Sequence, residues 1–145
     1  MASNLYNNGL LKVADRTIDF VSDTIRVLLV NASHTFTATH TTVSQITANE
    51  LSTTNYVRKD LAGKAITAAT NVTSFLADNV TWTALGPTSA GPTAAFAIVY
   101  KFITNDAGSL LLACIDFTDQ TLNGSDFTLK WNGASSNGAV FTLTG

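Results

Sequence analysis

A chain of 145 residues is long enough to bury a core as one domain over residues 1–145, and its single cysteine, Cys114, can form no internal disulfide. Only 12% of residues are charged and the net charge is -2, so solubility rests on Thr, Ser and Asn, and the surface suits a protein that works packed against neighbours. The eight Lys and Arg are scattered, with Arg58-Lys59 the densest cluster, and no apolar run reaches membrane-spanning length, which argues against nucleic-acid and membrane partners.

The opening residues, MASNLYNNGLLKVADR, lack a basic segment followed by an apolar one, so nothing there reads as a secretion signal. Residues 1–14 read as a helix or an extended arm. The helical version runs over 4–14 with Asn4 as N-cap and Leu5, Leu10, Val13 and Ala14 as a loose apolar stripe. Gly9 weakens it, at a cost of about 1 kcal/mol relative to alanine. Asp15, Asp19 and Asp23 would line up on a continued helix as a cation-binding row, but the alternation of Ile18-Asp19-Phe20 favours three turn carboxylates. Residues 24–31, TIRVLLVN, form a strand that is apolar on both faces after Arg26.

The polar stretch 32–42 holds both histidines, His34 and His40; their spacing fits no zinc pattern, and they read as surface or loop residues. Thr47-Ala48-Asn49-Glu50 matches a capping box and predicts a short helix over 48–53. Residues 56–61 and 64–69 read as short strands around Ala62-Gly63, and Val80-Thr81-Trp82 as a strand with one apolar face. Residues 86–92 hold both prolines and form the clearest loop, placed at a surface tip. The loop lacks a lysine and a following helix, so it is no phosphate cradle.

Residues 94–117 carry the strongest signal, two apolar runs joined by Asn105-Asp106-Ala107-Gly108-Ser109. This is a β-hairpin with Phe96, Ile98, Tyr100 and Phe102 on one face and Ala97, Val99 and Ile103 on the other. Both faces are apolar, so the pair belongs in the middle of a sheet, with strand 24–31 beside it and a second layer over it. A polar connection over 116–125 follows. Strand 126–131 has Phe127, Leu129 and Trp131 inward, and strand 140–144 has Phe141 and Leu143 inward. Residues 132–138 join these as a second hairpin. The predicted fold class is mainly β: an antiparallel sandwich or barrel-like sheet with one or two short helices, in the N-terminal segment and near Glu50.

Chemistry is hard to find. No nucleophile elbow exists, the carboxylate pairs Asp116/Asp119 and Asp106/Asp126 read as turn formers, and the Asn105–Gly108 turn is too short for calcium. Cys114 reads as a small buried hydrophobe. Asn-x-Ser/Thr matches at Asn31, Asn71, Asn79 and Asn123 follow from composition. The expectation is a non-enzymatic protein with no cofactor and no metal.

Several short motifs stand in a telling order: Leu5-Tyr6-Asn7-Asn8-Gly9, Ser22-Asp23-Thr24-Ile25, a polar stretch with a histidine, and Asn49-Glu50-Leu51-Ser52 with Tyr56. Val80-Thr81-Trp82, Ile98-Val99-Tyr100, Ile115-Asp116-Phe117 and a terminal Gly-containing segment opened by Trp131 follow. In this order the chain resembles a family of short virion proteins encoded beside the head and tail genes of tailed bacteriophages. The resemblance implies a capsid decoration (cement) protein on the virion surface, with the major capsid protein as partner and a homotrimer as the favoured assembly. A tail-associated or fibre adhesin is the alternative, with Trp82 or Trp131 as glycan platforms if exposed. The contact candidates are Leu5, Tyr6, Leu10 and Leu11 in the N-terminal segment and Pro87, Thr88 and Pro92 in the loop, because neither stretch is explained as core.

Overall fold

A hairpin that is apolar on both faces needs cover on both sides, and the computed structural model, which describes all 145 residues, shows one chain supplying it. In chain order the elements are β1 (Ala2–Leu5), α1 (Asn7–Ala14), β2 (Ile25–Asn31), β3 (Lys59–Asp60), β4 (Ala65–Ala69), β5 (Val72–Asp78), β6 (Val80–Trp82), β7 (Thr93–Lys101), β8 (Leu110–Thr121), β9 (Phe127–Leu129) and β10 (Asn137–Thr144). Short 3₁₀ turns lie at Val43–Gln45, Thr47–Asn49 and Trp131–Gly133.

The main sheet is antiparallel with the order β1-β8-β7-β2-β3, so the predicted hairpin sits at its middle with β2 alongside. On one face Val27, Leu29, Ala97, Val99, Ala113 and Ile115 enter a core of 23 buried residues. The facing layer is a three-stranded sheet, β10-β5-β4, and a two-stranded ribbon, β6-β9, which contribute Phe75, Phe141, Trp82 and Leu129. The rings of Phe75 and Phe141 stack at 4.3 Å, and Phe20 meets them edge-on at 5.4 and 5.8 Å. Trp82 and Trp131 are fully buried, and their indole N–H groups donate to the carbonyls of Val57 at 2.7 Å and Asp78 at 2.8 Å. On the other face Leu28, Val30, Ile98, Tyr100 and Cys114 join Tyr6, Val43, Ile46 and Leu111 in a second core of nine. Residues 32–49 roof this smaller core. Both faces of the hairpin are thus covered within one chain.

Local differences from the sequence pattern have physical causes. Both readings of the N-terminus are realised in part, because β1 pairs with β8 before α1 begins, and the N-cap is Tyr6 rather than Asn4. The capping box uses Thr42 and Gln45, not Thr47 and Glu50. Gln45 Oε1 accepts the N–H groups of Thr41 and Thr42 at 2.7 and 3.1 Å. Glu50 instead stays extended with its carboxylate drawn to Arg58, so a single 3₁₀ turn over Thr47–Asn49 stands in place of the predicted helix over 48–53. The predicted strand 56–61 shortens to β3, held on β2 where Asp60 meets Arg26. Strand 64–69 appears as β4, but its partner is β5, reached through a turn in which Asn71 has φ +59°. β8 runs on to Thr121, through residues the sequence pattern assigned to a polar connection. Ile103 lies beyond the end of β7 and is 38% exposed, so it packs on neither face.

The second predicted hairpin does not form. β9 pairs with β6, and β10 crosses to β5. Asn79 directs this crossing: its side chain accepts the Trp131 N–H at 3.1 Å and donates to the Ala134 carbonyl at 2.8 Å, while its own N–H reaches the Ser136 carbonyl at 2.7 Å. With Asn132 at φ +49° and Gly133 at φ +71°, the chain turns away from the β6-β9 ribbon.

Gly9 is the one buried residue of α1, where the helix crosses the backbone of β8. A Cβ there would sit 2.8 Å from Leu112 Cα and closer still to the Leu111 carbonyl oxygen. The residue that costs helix propensity is therefore the one that lets the helix dock. Gly9→Ala is expected to lower unfolding free energy by about 2 kcal/mol despite its better helix propensity, as measured by urea denaturation.

Candidate interaction surfaces

The residues expected to make contacts separate when placed on the fold. Tyr6 is a core residue with no exposed area, packed against Phe36 at 4.9 Å, so it is corrected from contact candidate to core. Its backbone N–H bonds the Leu112 carbonyl at 3.1 Å, tying the start of α1 to the sheet. Leu5 is half-buried against the main core opposite Ala113. Leu10 and Leu11 remain open, 41% and 58% exposed on a helix that Gly9 holds rigidly to β8.

The loop over 86–92 is anchored at both ends. Gly86 N–H donates to the Thr54 carbonyl at 2.9 Å and Gly91 N–H to the Leu122 carbonyl at 2.8 Å. Pro87 and Pro92 are half-buried, leaving Thr88 as the exposed member of the three candidates. Gly9 lies over Leu111 and Leu112, whereas Gly91 binds Leu122. β8 is bulged against β7 over this stretch, so the span follows the regular steps of β7, and at about 3.3 Å per strand residue the two candidate patches sit about 25 Å apart. They form two surfaces rather than one.

A polar cluster that the sequence pattern did not single out lies at the β7-β8 turn. Arg58 Nε and Nη2 donate to Glu50 at 2.7 and 2.6 Å, and Nη1 and Nη2 donate to Asp106 at 2.5 and 3.0 Å. One guanidinium thus holds two carboxylates from segments distant in sequence. Tyr56 hydroxyl donates to Glu50 Oε1 at 2.9 Å and accepts the Leu29 N–H at 2.9 Å, which links the cluster to β2. The Arg58 hydrogen bonds hold the Asp106 carboxyl below the usual carboxylate range. With its donors engaged, Arg58 serves as a strut between Glu50, just past the roof segment, and the hairpin turn. The sequence signal available was the Arg58-Lys59 pair, but charge alone did not reveal its acidic partners.

The histidines differ from each other. His34 is only 6% exposed, edge-on to Phe96 at 5.6 Å, which corrects its reading as a surface or loop residue to a buried loop residue. Burial, and then the nearby His40, push its pKa below the usual histidine value. Cys114 is buried, and burial pushes its thiol up to about 12, so it packs as a neutral hydrophobe. The hydroxyls of Tyr6 and Tyr100 are buried, and desolvation raises the pKa of both, opposed at Tyr100 by the nearby Arg58 guanidinium.

Apart from Glu50 and Asp106 on Arg58, the carboxylates singled out in the sequence do not converge. Asp15 accepts the Thr17 N–H, Asp19 accepts Val21 and Ser22 N–H groups, and Asp23 accepts the Asp19 N–H and pairs with Lys101 at 2.8 Å. Asp106 is bound to Arg58, while Asp126 accepts the Ala84 N–H at 2.9 Å. No group of three or more His, Cys, Asp or Glu residues is arranged to hold a metal ion, and no helix is long and apolar enough to cross a membrane. Comparison with protein-family models, curated proteins and solved structures gives no match.

Removing Arg58 leaves two carboxylates facing each other. Arg58→Ala is expected to cost about 2 kcal/mol, a value discounted for the partial exposure of the cluster, with Arg58→Lys recovering only part of it; thermal melts of the three proteins check this. A second outcome concerns pH. The folded state keeps His34 neutral below the pH at which the unfolded chain protonates it, so the unfolded state binds more protons there. Stability is expected to fall as pH drops below 6.5, the ordinary histidine value. His34→Gln should flatten that fall in denaturation curves taken between pH 7 and pH 5.

Proposed function

We propose that the chain is a non-enzymatic bacteriophage virion protein, a capsid decoration or cement protein that binds the outer head shell through the major capsid protein. The single observation that carries this is the rigid apolar step at the N-terminus: Leu10 and Leu11 are exposed on a helix clamped to β8 through Gly9. A protein with both sheet faces already covered spends nothing on its own core by exposing them, and a flat protein partner would bury them. The low charge, 12% of residues, and the ordered motifs of the N-terminal, central and terminal segments support the same reading. The resemblance adds assembly as a homo-oligomer, with a trimer favoured. The adhesin alternative is weakened by the burial of Trp82 and Trp131, whose indole N–H groups are engaged inside the fold.

Particles of the encoding phage assembled without this protein provide the test. Added protein is expected to bind at regular high copy number over the head and to raise the temperature at which the heads rupture. Leu10→Ser/Leu11→Ser is expected to reduce occupancy about tenfold or more while leaving the protein's own melting temperature within a few degrees, because both side chains are already in water. A few copies confined to the tail would replace the cement reading with the tail-associated one.

A further inference from the structure

Most sheet edges in this fold are blunted. β3 has two residues, both charged; β6 and β9 have three residues each; and β10 carries a bulge between Ala139 and Phe141. Short length, charge and bulges are the usual means by which an edge avoids pairing with another chain. β4 has none of them. Its five residues, Ala65-Ile66-Thr67-Ala68-Ala69, contain no charge and no proline, pair in unbroken register with β5 on one side, and face water on the other.

The exposed edge continues into an apolar groove of about 450 Å³ lined by Val13, Ile18, Phe20, Ile66 and Phe75, with Arg16 and Asp19 at its rim. Ile66 lies opposite Phe75 in the ladder and is still 46% exposed, an inward-facing side chain with no neighbour beyond it. The geometry points to a second copy of this chain as the occupant, with two β4 edges pairing antiparallel about a two-fold axis through Thr67.

Three features of β4 make the strand self-complementary. Its hairpin with β5 closes on Ala69 and Val72, so ladder alternation directs the backbone N–H and C=O groups of Ile66 and Ala68 away from β5. A two-fold axis at Thr67 sets Ile66 of each copy against Ala68 of the other, forming about four backbone hydrogen bonds. The small Ala68 leaves room for the facing Ile66, which then covers the open side of the partner's groove. No like charges meet across the axis, and each groove rim brings one cation and one anion, Arg16 and Asp19. The two three-stranded sheets become one six-stranded sheet, β10-β5-β4 continued into its symmetric copy. This contact does not depend on the virion reading, and it leaves Leu10 and Leu11 outside the strand pair.

Sedimentation of the full chain across a concentration series reads the contact. The expected result is a reversible dimer with a dissociation constant on the order of micromolar, in keeping with a short ladder. Ile66→Lys is expected to weaken it about tenfold or more with an unchanged circular dichroism spectrum. If a three-fold contact coexists, the species is a hexamer that Ile66→Lys splits into trimers. Thr67→Cys supplies a second readout: opposed residues of a non-hydrogen-bonded pair lie about 4.5 Å apart, close enough for a disulfide between copies under mild oxidation, whereas Ala65→Cys faces Ala69 and should not cross-link. Cys114 is buried and does not compete. A chain that stays monomeric, or an oligomer that Ile66→Lys leaves intact, or equal cross-linking of both cysteine variants, overturns the proposal.

Discussion

Ile98 and Val99 are neighbours in sequence yet belong to different cores, one under the roof segment and one against the smaller sheets. That division is the constraint on which the fold depends. A strand with two buried faces is stable only if apolar material arrives from both sides, and this chain recruits it from separate segments. β4 to β6, which precede the central hairpin, and β9 to β10, which follow it, build one cover. The preceding segment, Tyr6 and residues 32–49, builds the other. Because a single sheet serves both, displacement of β7 disturbs the two cores together.

Polar side chains then fix where the covers go. Asn79 carries the chain from the ribbon to the three-stranded sheet, and Arg58 binds Glu50, just past the roof segment, to the β7-β8 turn at Asp106. Both act across long sequence separations, 55 residues between Asn79 and Ala134 and 48 between Arg58 and Asp106. Their hydrogen bonds contribute modest energy individually, but they select one connection among several that the apolar pattern would tolerate.

This explains what the sequence made legible. Residues 94–117 and 24–31 declare themselves because their strand runs are apolar on both faces, interrupted only by Lys101, Arg26 and the polar turn at 104–109, and that pattern puts them together in the middle of a sheet. The inward tryptophans are equally plain from strand alternation. The strand Val72–Asp78 is quieter, since only Phe75 and Ala77 along it are buried and the rest meets partial solvent. The false hairpin over 126–144 arose because adjacent strands usually pair; nothing in the local pattern shows that an asparagine some 50 residues earlier captures the intervening loop. Of the contact candidates, Leu10 and Leu11 were readable as apolar residues without a core role. Tyr6 was not, because its burial depends on Phe36 in the roof segment. Ile66 was hidden by its plain surroundings, as an unblunted edge shows only once strand order is known.

The roof over the second core has a consequence for how the molecule opens. It is joined to the sheet by backbone hydrogen bonds of Val43 to Ser109, Ser44 to Asp106, Leu111 to Thr41 and Asn7 to Ala38, and it covers nine buried residues against 23 on the other side. Fewer buried side chains leave less apolar burial to oppose local opening on this side of the sheet than on the other. The chain therefore carries two cores of unequal size on opposite faces of one sheet, and α1 spans the boundary between them, with Tyr6 at its start in the smaller core and Val13 packed against the larger.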